Sequence, residues 1–184
     1  NNYKNFFFSG ISFNSNKIVK DNIFFAIRGN KLDGNKFISH AINNGAKIII
    51  TDYENEGLKN NILYIKTRNI RKLLAEISFK IYNKIPKNII AVTGTNGKSS
   101  VADFYYQILR LNNKKVASIG TLGVKSKNIN LNLSNTTIDP IKLGQILVRL
   151  KNQKIENIII EASSHGLKQN RLDGLKFKTG IFTN

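Results

Sequence analysis

Cysteine is absent from this 184-residue chain, proline occurs only twice, and acidic residues number 11. Without cysteine the chain has no disulfide framework and no thiolate metal site, which fits a cytoplasmic location. The chain also contains no run of about 18 apolar residues, so we expect no transmembrane helix and no membrane insertion. The apolar residues Phe6 to Phe8 are too few for the core of a signal peptide.

The shortage of acidic residues leaves a formal net charge of +18, with 23 lysines among the 29 basic residues. A strongly basic chain can indicate a nucleic-acid partner, whose usual footprint is a clustered basic patch. Here the lysines run from Lys4 to Lys178 without a dense block, and Lys, Ile and Asn make up 78 of the 184 residues. A compositional drift explains the charge, so we expect no nucleic-acid partner.

The first third of the chain has the pattern of a small α/β domain. Apolar runs of strand length occupy residues 22–27, 46–50 and 62–65, and residues 37–44 have helical spacing. Gly45 is a natural helix stop. A longer helix follows over 70–81, and we place the domain boundary near residue 68, giving domains 1–68 and 69–184.

From Asn88 onward the pattern changes to strand, glycine-rich turn, helix and strand, which predicts a doubly wound α/β domain whose ligands lie at the carboxyl ends of the strands. The predicted strands are 89–92, 115–119, 157–160 and 179–183, and the predicted helices are 101–111 and 141–150.

The strongest motif lies in the turn after the strand 89–92, and it is Gly94-Thr95-Asn96-Gly97-Lys98-Ser99-Ser100. A phosphate-binding loop needs small residues that let backbone N–H groups face the phosphates, a lysine for the β- and γ-phosphates, and a hydroxyl for Mg²⁺. Lys98 and Ser99 supply the last two. The general pattern has glycine where this chain has Val92, so an ordinary glycine-rich turn is the alternative.

Glu161 directly follows the apolar strand 157–160. An acidic residue at the end of a buried strand beside a phosphate loop is where a Mg²⁺ carboxylate is expected. Alone, such a residue would be a solvated loop start. The sequence therefore predicts catalytic roles for Lys98 and Glu161 and a metal site at Ser99 and Glu161.

Ser163-Ser164-His165-Gly166 offers a competing hydrolase interpretation, with serine as nucleophile and histidine as base. Adjacent residues do not make a triad, because the partners must be oriented in space by a third group. The chain also lacks the Gly-x-Ser-x-Gly elbow. We therefore do not favour a hydrolase.

Further stretches accompany the phosphate loop, and together they resemble the Mur ligase family, specifically its members that add a diamino acid. These stretches are Gly120-Thr121-Leu122-Gly123, Asn135 to Pro140, and Glu161 to Arg171. Upstream, Ser15-Asn16 and Asp21 to Gly29 resemble the uridine-nucleotide-binding first domain of that family. The resemblance covers nearly the whole chain, with departures at Asn14-Ser15-Asn16, where the family usually has Asp-Ser-Arg, and at Ile138, where it usually has proline.

The resemblance implies an α/β protein with a small uridine-nucleotide-binding domain followed by an incomplete P-loop ATPase domain. It implies ATP and Mg²⁺ as cofactors, and UDP-N-acetylmuramoyl-L-Ala-D-Glu and a diamino acid, meso-diaminopimelate or L-lysine, as substrates. A monomer is expected, and residues 1–184 alone are expected to lack ligase activity.

The resemblance also assigns ligand contacts. The expected ATP contacts are Gly94 to Ser100. The expected contacts to the muramoyl-peptide are Asn135, Thr136, Thr137, Ser163, Gln169 and Arg171, and those to the uridine nucleotide are Phe13, Ser15, Asn30, Lys31 and Leu32. Two alternatives stay open: a D-Ala-D-Ala-adding ligase of the same family, and a P-loop nucleotide- or nucleic-acid-binding module without ligase activity.

Overall fold

The computed structural model describes residues 6–29, 32–53 and 56–184. The chain divides into two compact units, Asn1–Leu74 and Ala75–Asn184, and the division falls inside the helix Ile70–Ile81. The domain boundary predicted near residue 68 stays a prediction. In the part of the chain that the structure describes, no helix has both the length and the apolar character to cross a lipid bilayer.

The first unit is built on a five-stranded sheet. Its strands are β1 (Gly10–Ser12), β2 (Asn22–Phe25), β3 (Ala46–Thr51), β4 (Gly57–Lys59) and β5 (Ile62–Lys66), and its helices are α1 (Ile38–Asn43) and the first part of α2 (Ile70–Ile81). The strand order is β1-β2-β3-β5-β4, and all neighbours are parallel except β4 and β5.

The core of this unit follows from the β-branched and aromatic residues of its central strands. Phe24 and Ile49 are at most 1% exposed and pack with Ala41 of α1. The predicted strands and helix are confirmed, with one change at the end of β2. The strand ends at Phe25 rather than Ile27, because the Ile27 carbonyl accepts a hydrogen bond from Gly34 N and the chain turns there.

The second unit is built on a six-stranded sheet. Its strands are β6 (Asn88–Thr93), β7 (Val116–Gly120), β8 (Gly123–Lys125), β9 (Asn130–Leu131), β10 (Asn157–Glu161) and β11 (Thr179–Phe182), and its helices are α3 (Lys98–Leu111), α4 (Pro140–Asn152) and α5 (Ser164–Lys168). The order is β11-β6-β10-β7-β8-β9, with the first four strands parallel and β8 antiparallel to both its neighbours.

Helices lie on both faces of this sheet, as the doubly wound prediction requires. Leu143 and Leu147 of α4 are buried in one apolar cluster with Ile158 of β10. Ala102 of α3 packs in a separate cluster with Val92 of β6. The predicted α/β class is thereby confirmed.

Strand β10 lies between β6 and β7, and its register positions the candidate site. Glu161 pairs with Val92 on one side, and Ile160 pairs with Ile119 on the other. The carboxyl end of β10 is therefore flanked by the glycine-rich turn that follows β6 and by the residues that follow β7.

Two sequence predictions need correction here. Glu161 does not follow its strand but is the last residue of β10, and only 2% of it is exposed. The helix predicted to begin at Val101 begins at Lys98, because Gly97 adopts a φ of +80° and its carbonyl accepts from Val101 N. Lys98 and Ser99 therefore lie on the first helical turn.

Candidate active site

The glycine-rich turn connects β6 to the amino end of α3. Lys98 Nζ donates to the carbonyls of Gly94 and Thr95 at 2.7 and 2.9 Å, so the side chain folds back over the turn. The first amides of α3 have no helical partner and carry the positive end of the helix dipole. The amides of Thr95 and Asn96 both donate to Asn184 Oδ1 at 3.0 Å, so the loop already presents two amides to one oxygen acceptor. A cation and amides around one loop suit a phosphate group.

Gly94 is fixed in the turn by a close approach from the end of β11. Its φ is +133°, and a Cβ there would lie 2.1 Å from Thr183 Oγ1. That hydroxyl hydrogen-bonds to the Thr93 carbonyl. Val92, which stands where the general phosphate-loop pattern has glycine, is a fully buried strand residue. The turn therefore starts two residues later, at Gly94.

Glu161 receives three hydrogen bonds on its carboxylate. Ser99 Oγ donates to Oε2 at 2.9 Å. Thr121 donates twice, from its backbone N to Oε1 at 3.1 Å and from its hydroxyl to Oε2 at 3.0 Å. The predicted pair Ser99 and Glu161 is thus brought into direct contact, whereas the sequence did not single out Thr121.

Ser99 and Glu161 offer oxygens of the kind that Mg²⁺ binds. Ser99 Oγ and Glu161 Oε2 lie 2.9 Å apart, a hydrogen-bond distance, so a hydroxyl and a carboxylate oxygen meet beside the loop. Among the described residues, no group of three or more His, Asp or Glu side chains is placed to hold a metal ion. Mg²⁺ usually takes one or two carboxylates together with phosphate oxygens and water. The residues therefore fit this ion.

Thr137 and Ser163 meet on the other side of Glu161. The Thr137 hydroxyl donates to the Glu161 carbonyl at 2.9 Å and accepts from Ser163 N at 2.9 Å. Ser163 Oγ caps α5 by accepting from Gly166 N at 3.1 Å. A Cβ at Gly166 would lie 2.6 Å from the Thr137 side chain, so this contact needs glycine.

Arg171 and Gln169 continue the same cluster. Arg171 Nη1 donates to the Thr137 carbonyl, and its Nε and Nη2 donate to Gln169 Oε1 at 3.0 and 2.7 Å. Gln169 Nε2 contacts His165 Nε2 at 2.9 Å. Because His165 is engaged with Gln169, and Ser163 with Thr137 and Gly166, these contacts give the hydrolase interpretation no support.

Thr136 and Asn135 lie on the loop before α4. Thr136 Oγ1 is 3.0 Å from Thr121 Oγ1, and Asn135 Nδ2 donates to Ser134 Oγ at 3.3 Å. Asn135 is exposed, and Thr136 is half-buried. The structure therefore connects Thr136, Thr137, Ser163, Gln169 and Arg171 to the surroundings of Glu161.

The residues predicted to contact a uridine nucleotide lie in the first unit. Phe13 and Leu32 are 42% and 67% exposed, and Ser15 is buried. Asn30 and Lys31 lie outside the described residues. Asn14, which stands where the family usually has aspartate, caps the short 3-10 helix Ser15–Lys17, since its Oδ1 accepts from Asn16 N at 3.0 Å.

A polar network joins Arg28, Asp33, Asn35 and Asp52, and sequence reasoning missed it. Arg28 approaches the carboxylates of Asp33 and Asp52 at 3.6 Å each. Asn35 bridges the same two carboxylates with its Nδ2 at 3.0 and 2.9 Å. A hydrogen bond from Asn35 N holds the pKa of Asp33 below its ordinary value. The network links residues far apart in sequence, so no local sequence motif could have predicted it.

The fold and the glycine-rich turn after β6 are typical of an α/β protein of the P-loop type. Two family descriptions match the chain: "Mur ligase family, catalytic domain" over residues 8–82 and "Mur ligase middle domain" over residues 92–184. The chain belongs to the Mur ligase family.

Several relatives that match nearly the whole chain carry the name UDP-N-acetylmuramoyl-L-alanyl-D-glutamate–2,6-diaminopimelate ligase. The protein from Rickettsia prowazekii is 41% identical over 186 residues, covering 99% of this chain and 38% of the relative. That from Bradyrhizobium diazoefficiens is 39% identical, covering 96% and 36%. This chain therefore spans well under half the length of these relatives.

Solved structures agree with this placement. A structure of a ligase with the same name has a TM-score of 0.81 at 30% identity, covering 96% of this chain and 36% of that one. A MurF ligase from Thermotoga maritima in complex with ADP has a TM-score of 0.51 at 20% identity, which shows the fold alone.

Proposed function

We propose that the protein carrying this chain is an ATP-dependent ligase that adds a diamino acid to UDP-N-acetylmuramoyl-L-Ala-D-Glu during synthesis of peptidoglycan precursors. The observation that carries the proposal is the buried Glu161 carboxylate, 2.9 Å from the hydroxyl of Ser99 and directly beside the Lys98 loop. The names of the relatives support the substrates and favour 2,6-diaminopimelate over L-lysine as the added residue. By family, we expect a cytoplasmic monomer.

When bound, ATP supplies the phosphoryl group that converts the unreactive substrate carboxylate into an acyl phosphate, which an amine can attack. The chain contributes positioning and charge neutralisation, the main needs of phosphoryl transfer. Lys98 meets the β- and γ-phosphates, and the amides of Gly94 to Ser100 cradle them. Ser99 and Glu161 would hold Mg²⁺, since a hydroxyl and a carboxylate are oxygen ligands that this ion accepts.

The cluster around Thr137 suits the peptide part of the substrate. Hydroxyls and amides fit sugar and peptide groups, and a guanidinium fits an anion. We assign this contact to Asn135, Thr136, Thr137, Ser163, Gln169 and Arg171. In the first unit we assign the uridine nucleotide to Phe13, Ser15, Asn30, Lys31 and Leu32.

The proposal is tested first by removing the ammonium group of Lys98 in the full-length protein. A charge-assisted contact of this kind contributes roughly 1.5–3 kcal/mol, so Lys98→Ala should weaken ADP binding by about tenfold or more in calorimetry. Lys127→Ala is the matched control, because Lys127 is exposed on the loop after β8. Equal affinity in both variants, with the fold intact, would falsify the phosphate-loop assignment.

The substrate assignment is tested by phosphate release from ATP. The parent protein should release phosphate only when both the UDP-muramoyl dipeptide and a diamino acid are present. Release that needs neither, or that needs D-Ala-D-Ala and a UDP-muramoyl tripeptide instead, would refute the assignment. Salt-sensitive binding to DNA with no response to the UDP-muramoyl peptide would point to the nucleic-acid alternative.

A further inference from the structure

Thr121 contacts both oxygens of the Glu161 carboxylate, each through a different donor atom. Its backbone N donates to Oε1 at 3.1 Å and its hydroxyl donates to Oε2 at 3.0 Å. Two contacts from one residue fix the rotation of the carboxylate as well as its position. The contact is available because Thr121 follows β7 directly, and β7 is the neighbour of β10.

Gly120 makes room for this arrangement. A Cβ at Gly120 would lie 2.1 Å from Glu161 Oε1 and 2.3 Å from Cδ. The carboxylate therefore packs directly against the backbone at the end of β7, where the Thr121 amide can reach it. Thr121 itself is an exposed residue, so its two bonds are not a by-product of burial in the core.

The direction of the hydrogen bonds follows from proton counting. A carboxylate has no proton to donate, so the single hydroxyl proton of Thr121 goes to Glu161. The contact of 3.0 Å between the hydroxyls of Thr121 and Thr136 must then be donated by Thr136. A chain of donors runs from Thr136 to Thr121 to Glu161, and such chains strengthen each member.

The carboxylate keeps capacity for a metal ion in this arrangement. Two carboxylate oxygens offer about four acceptor positions. Ser99 Oγ and Thr121 Oγ1 occupy both positions on Oε2, and Thr121 N occupies one on Oε1, so the remaining position is on Oε1. Thr121 supplies two of these three bonds. It can therefore hold the carboxylate in place when the oxygen of Ser99 is shared with a cation.

We infer that Thr121 is a positioning residue that holds Glu161 ready for Mg²⁺ and couples it, through Thr136, to the loop that contacts the muramoyl-peptide. This inference rests on the proposed function, in which Glu161 and Ser99 hold the ion and Thr136 contacts the substrate. It predicts that losing the Thr121 hydroxyl weakens the use of Mg²⁺ without weakening the binding of metal-free nucleotide.

The experiment compares Thr121→Val with Thr121→Ser in the full-length protein. Valine keeps the shape and the backbone N–H but removes the hydroxyl, whereas serine keeps the hydroxyl. ADP affinity is measured by calorimetry with and without Mg²⁺, and the gain in affinity that Mg²⁺ gives is compared between variants. Thr179→Val, an exposed position at the start of β11, is the matched control.

In Thr121→Val the gain in ADP affinity that Mg²⁺ gives should fall by about tenfold, because one hydrogen bond to a charged group is lost. Metal-free ADP affinity should not change, and Thr121→Ser should recover most of the loss. The Mg²⁺ concentration for half-maximal turnover should rise in Thr121→Val. Thr136→Val should raise this concentration less in the Thr121→Val background than in the parent protein.

Two outcomes would overturn the inference while leaving the proposed function intact. One is a parent-like gain from Mg²⁺ in Thr121→Val. The other is a serine variant as defective as the valine variant, which would show that packing and not the hydroxyl is at work. If the parent protein itself binds ADP equally with and without Mg²⁺, the proposed function fails, and the inference fails with it.

Discussion

Burying a carboxylate is costly unless donors replace the water that it loses. Glu161 is only 2% exposed, yet it receives three hydrogen bonds, one from Ser99 and two from Thr121. These donors come from the first turn of α3 and from the residue that follows β7, so one carboxylate connects the two segments. In the proposed function, this side chain would meet a cation that enters beside Ser99.

We therefore expect Glu161→Gln to impair the use of Mg²⁺. The glutamine amide removes the charge and turns an NH₂ group toward donors, which leaves at least one of them unpaired. The Mg²⁺ concentration for half-maximal rate should rise by about tenfold or more, and turnover should fall. A variant with unchanged metal dependence and a shifted pH–rate profile would instead identify Glu161 as a proton-transfer base.

The turn at Gly94 allows a second test at the residue scale. Alanine at Gly94 would place a methyl group 2.1 Å from Thr183 Oγ1 at a φ of +133°. Strain of this kind costs about 1–3 kcal/mol, so Gly94→Ala should lower both the melting temperature and ADP affinity. Gly180→Ala is the matched control, because a Cβ there meets nothing within 4 Å. Equal melting curves and affinities for the two variants would contradict the role given to Gly94.

At the scale of elements, the register of three parallel strands creates the site. Because β10 pairs with β6 and β7, the ends of all three strands lie side by side. The order in sequence gives no hint of this, since β7 precedes β10 by many residues. The site therefore depends on a crossover that brings the later strand between the two earlier ones.

Sequence patterns predicted the long elements well. A helix was predicted from apolar residues that recur at three- and four-residue steps between Ile70 and Ile81, and the observed helix covers this range. The strands β8 and β9 were missed, since three and two residues are too few to show an alternation. Thr121 was missed for a different reason: only the fold shows that its amide and hydroxyl reach one carboxylate.

Glu156 connects the amino ends of β6 and β10, and its contribution to stability should depend on pH. Its carboxylate pairs with Lys151 at the end of α4 and accepts from Lys87 N at 3.0 Å. The hydrogen bond from Lys151 and that from the Lys87 backbone hold the pKa of Glu156 below its ordinary value. Because the pKa is lowered in the folded state, the stabilisation is present above about pH 5 and is lost as the pH falls through the lowered pKa.

Glu156→Gln should accordingly lower the melting temperature by roughly 1–3 °C at neutral pH, the range for a partly exposed pair. The difference between parent and variant should shrink toward zero as the pH is lowered into the acid range. Melting curves across the pH range measure this, and Lys151→Gln should show the same trend. A difference that persists unchanged in acid would show that the ionised pair is not its source.

At the scale of the whole chain, the 184 residues carry a formal net charge of +18, which sets the sign of the field around them. The described ion pairs use only part of the basic side chains, and many lysines are exposed. A field of one sign attracts ligands of the opposite sign and raises their association rates, and salt weakens it. The proposed ligands, ATP and a UDP-linked peptide, are anions.

We expect the association rate of ADP to fall as salt is raised, while the dissociation rate changes less. Stopped-flow binding of a fluorescent ADP analogue to the full-length protein, at low and at physiological ionic strength, measures both. The matched variant replaces four exposed lysines outside the candidate site with glutamine: Lys114, Lys115, Lys127 and Lys142. It should bind more slowly at low salt and respond less to salt, because each substitution removes one positive charge from the field. If parent and variant associate at the same rate at every salt concentration, the charge has no part in nucleotide capture, and compositional drift alone accounts for it.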